Sequence, residues 1–393
     1  MTSPLNGITI LDLTRVLSGP YCTMLLADMG ARVIKIEQPR SGDDTRHWGP
    51  PFLGTESAYF LSINRNKESV TLDFKQAEGR ALLDQLIAKS DVVVENFRPG
   101  ALGRLGLDYA SLAPQHPRLI YCSVSGFGQT GPRRKEPGYD AVLQAEGGLM
   151  SITGSPDVPP VRVGVAIADI ATGMFAAQGI SMALYARERT GRGQLVDVSM
   201  LDTVAALLTY QAGIYFATDT PPARMGNRHP TIVPYETFTA SDGEFVLAVG
   251  NDEQWRRFCE VAGIGADERF ATNRGRVTGY AELRPLVAAR LRPQPRRYWI
   301  EKLTAAGVPC GSVRDLREVF SDPQLAARDM VVPMQHAAAG DIRVLGTPIK
   351  LSDTPATLRA APPTLGQHTD SVLHQDLGLG HEAIGHLRTT GVI

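Results

Sequence analysis

The sequence has few cysteines and no excess of charge of either sign. Only four cysteines occur among its 393 residues, Cys22, Cys122, Cys259 and Cys310, and none of them forms the closely spaced pairs that bind structural zinc. The 40 lysines and arginines are balanced by 41 acidic residues, which gives a formal net charge of -1. We therefore expect free thiols and no bound metal, and the balance of charge favours neither a nucleic acid nor a membrane surface as partner.

Long apolar runs are also missing. The N-terminal segment MTSPLNGITILDLT contains no charged leader followed by an apolar run, and no stretch approaches the ~18 consecutive apolar residues of a membrane span. These absences predict a cytoplasmic protein.

Several common catalytic motifs do not occur. The sequence contains neither the GxxxxGK[ST] pattern of nucleotide hydrolases nor the GxSxG pattern of serine hydrolases. GFGQTG, at positions 126–131, matches GxGxxG, but the basic stretch PRRKEPG follows it, whereas a dinucleotide fingerprint opens a helix. We therefore interpret GFGQTG as a glycine-rich loop over a site.

Short β-branched runs alternate with helical segments in the first third of the chain. Alternation of this kind predicts an α/β fold with a doubly wound, Rossmann-like parallel sheet, whose ligands bind in the loops after the strands. The predicted strands are ITILDL (8–13), VIKIE (33–37), SVTLDF (69–74), DVVVENF (91–97) and LIYCSVSGF (119–127).

The composition changes from Thr218 onward, where TDTPPARMGNRHPTIVPYETF is rich in proline, glycine and polar residues. We predict a large domain over 1–217 and a smaller α+β domain with linkers over 218–330. The polar, turn-rich segment 331–393 is expected to return to the large domain.

Basic residues are frequent in or near the loops that follow the predicted strands. Lysine and arginine are the usual partners of phosphate groups, so their clustering favours a phosphorylated ligand. The residues are Arg15, Arg40, Arg46, Arg65, Lys67, Lys75, Arg98 and Arg104.

One carboxylate stands out in VGVAIADIATGMFAAQG (163–179), where Asp169 is the only charged residue. Aspartate is a favoured N-cap, and ATGMFAAQGISMALYARE reads as a helix, so Asp169 can be a simple cap. An acid near the positive end of a helix can equally act as a base or a nucleophile. The small residues along this helix indicate close approach of a neighbouring element.

Several segments together resemble the class III coenzyme A transferases, a family related to the 2-methylacyl-CoA racemases. They include LNGITILDLTRVLSGPYCTMLLADMGARVIKIEQP, DVVVENFRPGALGRLGLDY, PRLIYCSVSGFGQTGP and VAIADIATGMFAAQGISMALYARERTGRGQLVDVSM. The resemblance extends from about Leu5 to the C-terminus. It implies transfer of CoA from an acyl-CoA to a carboxylic acid, with CoA as a substrate and no permanently bound cofactor.

The resemblance also assigns roles to individual residues. It places the catalytic nucleophile on Asp169, which would form an aspartyl-CoA thioester, and it makes backbone amides of SGFGQTG candidates for stabilising oxyanions. The residues that it implies for binding CoA, or for lying beside the reacting centre, are Val16, Leu17, Leu72, Lys75, Asn96, Phe97, Arg98, Arg104, Tyr139 and Asp140.

The same resemblance implies an interlocked homodimer and indicates which acids are expected as acceptors. Leu17 stands where the formyl-CoA:oxalate enzymes carry glutamine, which argues against oxalate as the acceptor. GNRHP and PYETF are more similar to members that use succinyl-CoA and dicarboxylic acids, and Arg46, Arg228 or His229 would then bind the second carboxylate.

Two other functions remain open at this point. The related racemases use a histidine in the segment that reads GYDA here, and this chain has Tyr139 at that position. Because tyrosine, with a reference pKa near ~10, is a poor proton acceptor at neutral pH, the transferase is favoured. A non-catalytic CoA-binding protein would need the loops without Asp169.

Overall fold

A computed structural model describes residues 3–393, which form two compact units. The first unit contains the residues up to Leu149 together with Val163–Tyr210 and Pro323–Ile393, and the second contains Met150–Arg162 and Gln211–Asp322.

These boundaries differ from the predicted ones, because residues 150–162 and 211–217 belong to the second unit and 323–330 to the first. Hydrogen bonds explain the first difference. Arg224 donates to the carbonyls of Ser155 and Val158 at 3.2 and 3.0 Å, and the N–H of Gly226 donates to the carbonyl of Gly154 at 3.0 Å.

The centre of the first unit is a six-stranded parallel sheet in the order β5-β2-β1-β6-β7-β8. The strand order reverses between β1 and β6, which confirms the predicted doubly wound sheet. The edge strand β8 was not predicted, and its half-exposed sequence LVDVS lacks the continuous apolar run of a central strand. The strands are β1 (Thr9–Asp12), β2 (Arg32–Glu37), β5 (Lys67–Thr71), β6 (Val92–Glu95), β7 (Ile120–Ser125) and β8 (Leu195–Ser199), and the short pair β3 (Phe52–Leu53) and β4 (Glu56–Ser57) also precedes β5.

Helices cover both faces of this sheet. The helices up to Thr218 are α1 (Ser18–Asp28), α2 (Ala58–Ile63), α3 (Ala77–Ala88), α4 (Tyr109–Leu112), α5 (Asp140–Glu146), α6 (Leu149–Ile152), α7 (Ile167–Thr190), α8 (Met200–Leu207) and α9 (Thr209–Thr218). Successive strand residues point to opposite faces. Thus Ile10 packs with α1 and α7, whereas Leu11 packs with α3 and the C-terminal helices α16 (Thr369–Leu377) and α17 (His381–Thr389).

Helix α7 approaches α1 closely, as its small residues predicted. A Cβ atom added to Gly173 would lie 2.6 Å from the carbonyl oxygen of Ser18 and 3.3 Å from the backbone nitrogen of Cys22. Any larger residue at 173 would therefore push the two helix backbones apart. This contact brings the first turns of the two helices together.

Helix α7 is also long and apolar enough to cross a membrane when judged by length and composition alone. The expectation from the sequence concerned consecutive apolar residues, and in α7 such a run is interrupted by Asp169, Thr172 and Gln178. About half of its apolar window is buried inside the fold, and the core helices of soluble proteins pass the same test.

The second unit combines an antiparallel sheet with helices, which makes it α+β. Strands β9 (Tyr235–Ala240), β10 (Gly243–Ala248) and β11 (Cys310–Ser312) form the sheet in the order β11-β10-β9. Its helices are α10 (Asp252–Ala262), α11 (Asn273–Thr278), α12 (Tyr280–Leu291), α13 (Arg296–Ala305) and α14 (Leu316–Phe320). Phe245, Trp255, Phe258 and Trp299 lie in its apolar core.

The last part of the chain rejoins the first unit through α15 (Pro323–Ala327) and a hairpin of β12 (Val331–His336) and β13 (Gly340–Leu345). Ile342 and Val344 of the hairpin pack with Leu61 of α2. The carbonyl of Pro363 then accepts hydrogen bonds from Arg46.

Candidate active site

Asp169 is the third residue of α7 and is not its N-cap. The helix begins at Ile167, and its N-cap residue, Ala166, offers no side-chain hydrogen bond. The carboxylate of Asp140 accepts the N–H of Ala168 at 2.9 Å instead. The interpretation of Asp169 as a simple cap is therefore wrong, because Asp140 performs that role and leaves Asp169 available for other contacts.

The carboxylate of Asp169 lies at the start of α1 as well. The hydroxyl and the main-chain N–H of Ser18, the first residue of α1, are close enough to this carboxylate to lower its pKa. Burial, followed by the negative charge of Asp140, raises the pKa of Asp169 to about 6, and the Ser18 donors oppose this shift. Asp169 is thus a poorly solvated carboxylate that is ionised at neutral pH, with donors already directed at it.

Two tyrosines are associated with this carboxylate. Burial, followed by the charges of Asp169 and Asp140, raises the pKa of Tyr59 to about 12, so this phenol stays protonated at neutral pH. Tyr139 is 68% exposed and lines the same cavity as Asp169. The sequence did not single out Ser18 or Tyr59. Ser18 lies in the SGP sequence that opens α1, whereas nothing in the sequence marks Tyr59.

The cavity beside Asp169 has a volume of about 390 Å³ and lies within the first unit. A second cavity, of about 640 Å³, shares Arg15, Phe97 and Arg104 with it and extends to Lys75. Of the predicted residues, the structure places seven on the wall of the smaller cavity and adds Lys75 on the larger one. The seven are Val16, Asn96, Phe97, Arg98, Arg104, Tyr139 and Asp169.

These cavities lie at the point where the strand order reverses, between the ends of β1 and β6. Asn96 joins the two loops there: its side chain accepts the N–H of Arg15 at 2.9 Å and donates to the carbonyl of Arg15 at 2.7 Å. Because loops that follow neighbouring strands diverge at a reversal, the sheet leaves a crevice for a ligand.

Three predicted residues do not line these cavities. The side chain of Leu72 is 1% exposed and belongs to the apolar core, so it can contact a ligand only through its main chain. Leu17 is buried against Met24 and Ile63. The carboxylate of Asp140 already accepts the N–H of Ala168 at 2.9 Å and the side-chain amide of Gln144 at 2.7 Å.

The basic residues near the sheet divide into two groups. Arg65 and Lys67 are buried in ion pairs with Asp28 and Asp12, at 2.6 and 3.1 Å. Arg46 pairs with Glu37 at 2.7 Å, and its guanidinium lies 3.6 Å from the centre of the Phe60 ring. Arg46 is therefore unavailable to an acceptor carboxylate, and the hypothesis that it binds one is wrong. The exposed group comprises Arg15, Arg40, Lys75, Arg98 and Arg104.

The amides of the glycine-rich loop are partly occupied. The N–H of Gly128 donates to the hydroxyl of Ser125 at 3.0 Å, and the N–H of Gln129 donates to the carboxylate of Asp197 at 3.0 Å. These two amides cannot serve an oxyanion in this conformation, so the expectation is restricted to the other amides of the loop. Arg228 and His229, the other candidates for the second carboxylate, lie in the second unit.

A metal centre has no support among residues 3–393, because no group of three or more His, Cys, Asp or Glu side chains there is arranged to hold a metal ion. All four cysteines are free.

Comparisons with known proteins match almost the whole chain. Residues 5–369 match the model of CoA-transferase family III. The succinate–glutarate CoA-transferase of Agrobacterium fabrum is 44% identical over 379 residues, which cover 94% of this chain and 95% of that protein. The acetyl-CoA:oxalate CoA-transferase of Acetobacter aceti is 44% identical over 365 residues, which cover 91% of this chain and 92% of that protein.

A solved structure agrees with these matches. The crystal structure of a CAIB/BAIF family protein from Brucella suis superimposes with a TM-score of 0.85 at 43% identity, covering 96% of this chain and all of that one. The chain therefore belongs to CoA-transferase family III and is a CoA-transferase.

Proposed function

We propose that this enzyme transfers coenzyme A from succinyl-CoA to a dicarboxylic acid through a covalent intermediate on Asp169. The observation that carries the proposal is the placement of Asp169, a half-buried carboxylate in the first turn of α7 and near the start of α1, on the wall of a cavity large enough for a thioester. Relatives named for succinate and glutarate support the choice of substrates.

The first half of the reaction uses Asp169 as nucleophile. Its carboxylate attacks the thioester carbonyl of the donor, which releases CoA as a thiolate and leaves a mixed anhydride. The thiolate then attacks the aspartyl carbonyl, forms the aspartyl-CoA thioester and expels the donor acid as a carboxylate. The acceptor carboxylate repeats the two steps in the opposite direction and restores Asp169.

The donors on Ser18 suit the step in which the aspartyl carbonyl is attacked. The attack moves negative charge onto an oxygen of Asp169, and the hydroxyl and N–H of Ser18 lie near that carboxylate on the same cavity wall. Donors fixed in advance stabilise such an oxyanion without reorganising. We therefore assign to Ser18 the role that the sequence suggested for the glycine-rich loop.

We place the phosphates of CoA in the larger cavity and its thioester end in the smaller one. Lys75 and Arg104 are exposed on the wall of the larger cavity and supply positive charge, while Arg98 lines the smaller. No permanently bound cofactor is needed, since all three nucleophiles in the scheme, the Asp169 carboxylate, the CoA thiolate and the acceptor carboxylate, are already anions.

The acceptor in this scheme is a dicarboxylic acid. The relative named for oxalate is as similar in identity as the relative named for glutarate, so identity alone does not separate a two-carbon from a five-carbon dicarboxylate. Rates with glutarate and oxalate as acceptors for succinyl-CoA will rank the two acids directly.

Trapping the intermediate tests the mechanism. The enzyme is mixed with succinyl-CoA without an acceptor and then treated with hydroxylamine, which converts an aspartyl thioester to a hydroxamate. Peptide mass spectrometry should find the hydroxamate on Asp169, while Asp140, the neighbouring carboxylate, serves as an internal control and stays unmodified. An unmodified Asp169 in an enzyme that still transfers CoA would contradict the proposed mechanism.

The alternatives from the sequence are less favoured. The matched family and the names of its members are those of transferases, so neither the racemase nor the non-catalytic binder is supported. In addition, Tyr139 occupies the position of the racemase histidine.

We also propose a cytoplasmic, interlocked homodimer. Along α7, Met174, Met182 and Tyr185 are 53%, 61% and 65% exposed, and large apolar side chains of this kind often mark an interface. Light scattering should give about twice the 42.4 kDa of one chain, and a monomeric mass would contradict the proposal. Cell fractionation tests the location.

A further inference from the structure

Glu95 is a buried acid at the carboxyl end of β6 to which the proposed mechanism gives no role. Its side chain is 6% exposed, and it stands directly before Asn96 and Phe97, which line the cavity beside Asp169. Burial, together with the nearby charge of Asp197, raises the pKa of Glu95 to about 7, and the hydrogen bonds from Ser123 and Phe97 oppose this shift. Retaining such an acid in a core position is costly, which suggests a specific role.

The carboxylate of Glu95 connects the two loops that follow β6 and β7 at the carboxyl ends of these strands. One oxygen accepts the N–H of Phe97 at 2.7 Å, and the other accepts the hydroxyl of Ser123 on β7. Ser123 in turn accepts the side-chain amide of Gln129 at 2.6 Å. The main chain of Gln129 is held by Asp197 on β8. The loop after β6 is thus tied to the glycine-rich loop after β7.

Phe97 is the part of this network that faces the ligand. Its side chain lines both cavities, the guanidinium of Arg15 lies 5.3 Å from its ring centre, and Phe74 packs edge-on against it at 6.5 Å between ring centres. A shift of the main chain at Phe97 would therefore alter the wall that the two cavities share.

We infer that Glu95 is a positioning residue for coenzyme A, because its carboxylate fixes the main chain at Phe97 and, through Ser123, the side chain of Gln129. The inference rests on the proposed binding of CoA in these cavities. Glu95 itself touches neither CoA nor the reacting atoms, so its loss should weaken binding more than it slows the chemical steps.

Calorimetric titration with free CoA tests this inference. Glu95→Ala should bind CoA about 10-fold more weakly than the unaltered enzyme, because Phe97 loses its acceptor. Glu95→Gln should restore binding to within about twofold, since the amide oxygen can accept the N–H of Phe97 while the amide nitrogen donates to Ser123. In steady-state assays, the alanine variant should raise KM for the acyl-CoA and change kcat by less than about threefold.

The opposite end of the same strand supplies a matched control. Asp91 precedes β6, accepts the N–H of Thr9 at 2.9 Å and pairs with Arg187 at 3.0 Å, so it fastens the strand without touching these loops. Asp91→Ala should leave CoA binding unchanged. Ser123→Ala, which removes the link to Gln129 but leaves Glu95 in place, should weaken binding by about threefold and covers the case in which Glu95→Ala fails to fold.

The outcomes separate this inference from the proposed function. If the unaltered enzyme binds CoA and both Glu95→Ala and Ser123→Ala bind it equally well, Glu95 has no positioning role. A glutamine variant as weak as the alanine variant would also overturn the inference. If the unaltered enzyme does not bind CoA, the proposed function itself fails.

Discussion

Asp12, which is fully buried, and Asp169, which is half-buried, are two aspartates of the first unit whose pKa values are shifted in opposite directions. Burial alone would raise the pKa of Asp12, but the charges of Lys67 and Lys35 and hydrogen bonds from two threonines hold it at about 2. Burial and the charge of Asp140 raise that of Asp169 to about 6. A cation pairs with the first carboxylate and stabilises the fold, whereas the second has a neighbouring anion and remains reactive.

The basic residues show the same division. Lys67 is fully buried, donates to the carbonyl of Pro20 at 2.8 Å and pairs with Asp12 at 3.1 Å. Lys75 is exposed on the wall of the larger cavity. The sequence predicted both cations in or near loops that follow strands, but Lys67 is the first residue of β5. Only the exposed Lys75 can contact a ligand.

The comparison predicts that Asp169→Asn abolishes transfer and leaves folding intact. The amide keeps the size of the side chain but is not a nucleophile, so CoA exchange between succinyl-CoA and a labelled acid should fall by ~10³-fold or more. Circular dichroism and the urea midpoint of the variant serve as controls. Substantial exchange in a freshly purified sample, measured before any deamidation, would contradict the assignment.

Removing the cation from the buried ion pair of Lys67 and Asp12 should instead lower the stability of the fold. Lys67→Met leaves Asp12 buried without its main partner and should lower the free energy of unfolding by about 3–5 kcal/mol, measured by urea denaturation. Lys75→Met, the same substitution at the exposed position, should change it by less than about 0.5 kcal/mol. Similar losses for the two variants would remove the distinction between structural and ligand-facing lysines.

Among the exposed cations, Arg104 tests whether such a residue binds the phosphates of CoA. Arg104→Ala should weaken CoA binding by about 1–3 kcal/mol through loss of a charge-assisted hydrogen bond to phosphate. Arg297→Ala is the matched control, because Arg297 is exposed on the second unit and pairs only with Glu301 in the same helix. An unchanged dissociation constant for Arg104→Ala would exclude this residue from the site.

The raised pKa of Asp169 predicts a dependence of stability on pH. Its folded pKa of about 6 exceeds the ordinary value of 3.8, so the folded state binds the proton more tightly and loses stability as pH rises from about 4 through 6. The Asp169→Asn variant has no titrating carboxyl at this position and therefore does not lose stability in this pH range. It should be more stable than the unaltered enzyme by about 1–3 kcal/mol at pH 8, and the gap should close near pH 4. A gap that stays constant over this range would contradict the assigned pKa.

Much of the sheet could be predicted because central parallel strands are buried on both faces and read as continuous apolar runs. Five strands overlap the predicted segments, which include ITILDL and DVVVENF, whereas the half-exposed β8 has no such run. The second unit includes residues 150–162 because of hydrogen bonds between Arg224 and the carbonyls of Ser155 and Val158. Contacts between segments so distant in sequence leave no local pattern.

The sequence by itself determined the alternation of strands and helices, the family, and the unusual isolation of Asp169 among small residues. Only the tertiary structure decided that Asp140 caps α7, that Ser18 lies near Asp169, and that Arg46 and Lys67 are buried in ion pairs. The reason is physical: periodicity and local propensity depend on neighbours along the chain, whereas burial and charge pairing depend on residues brought together from separate elements.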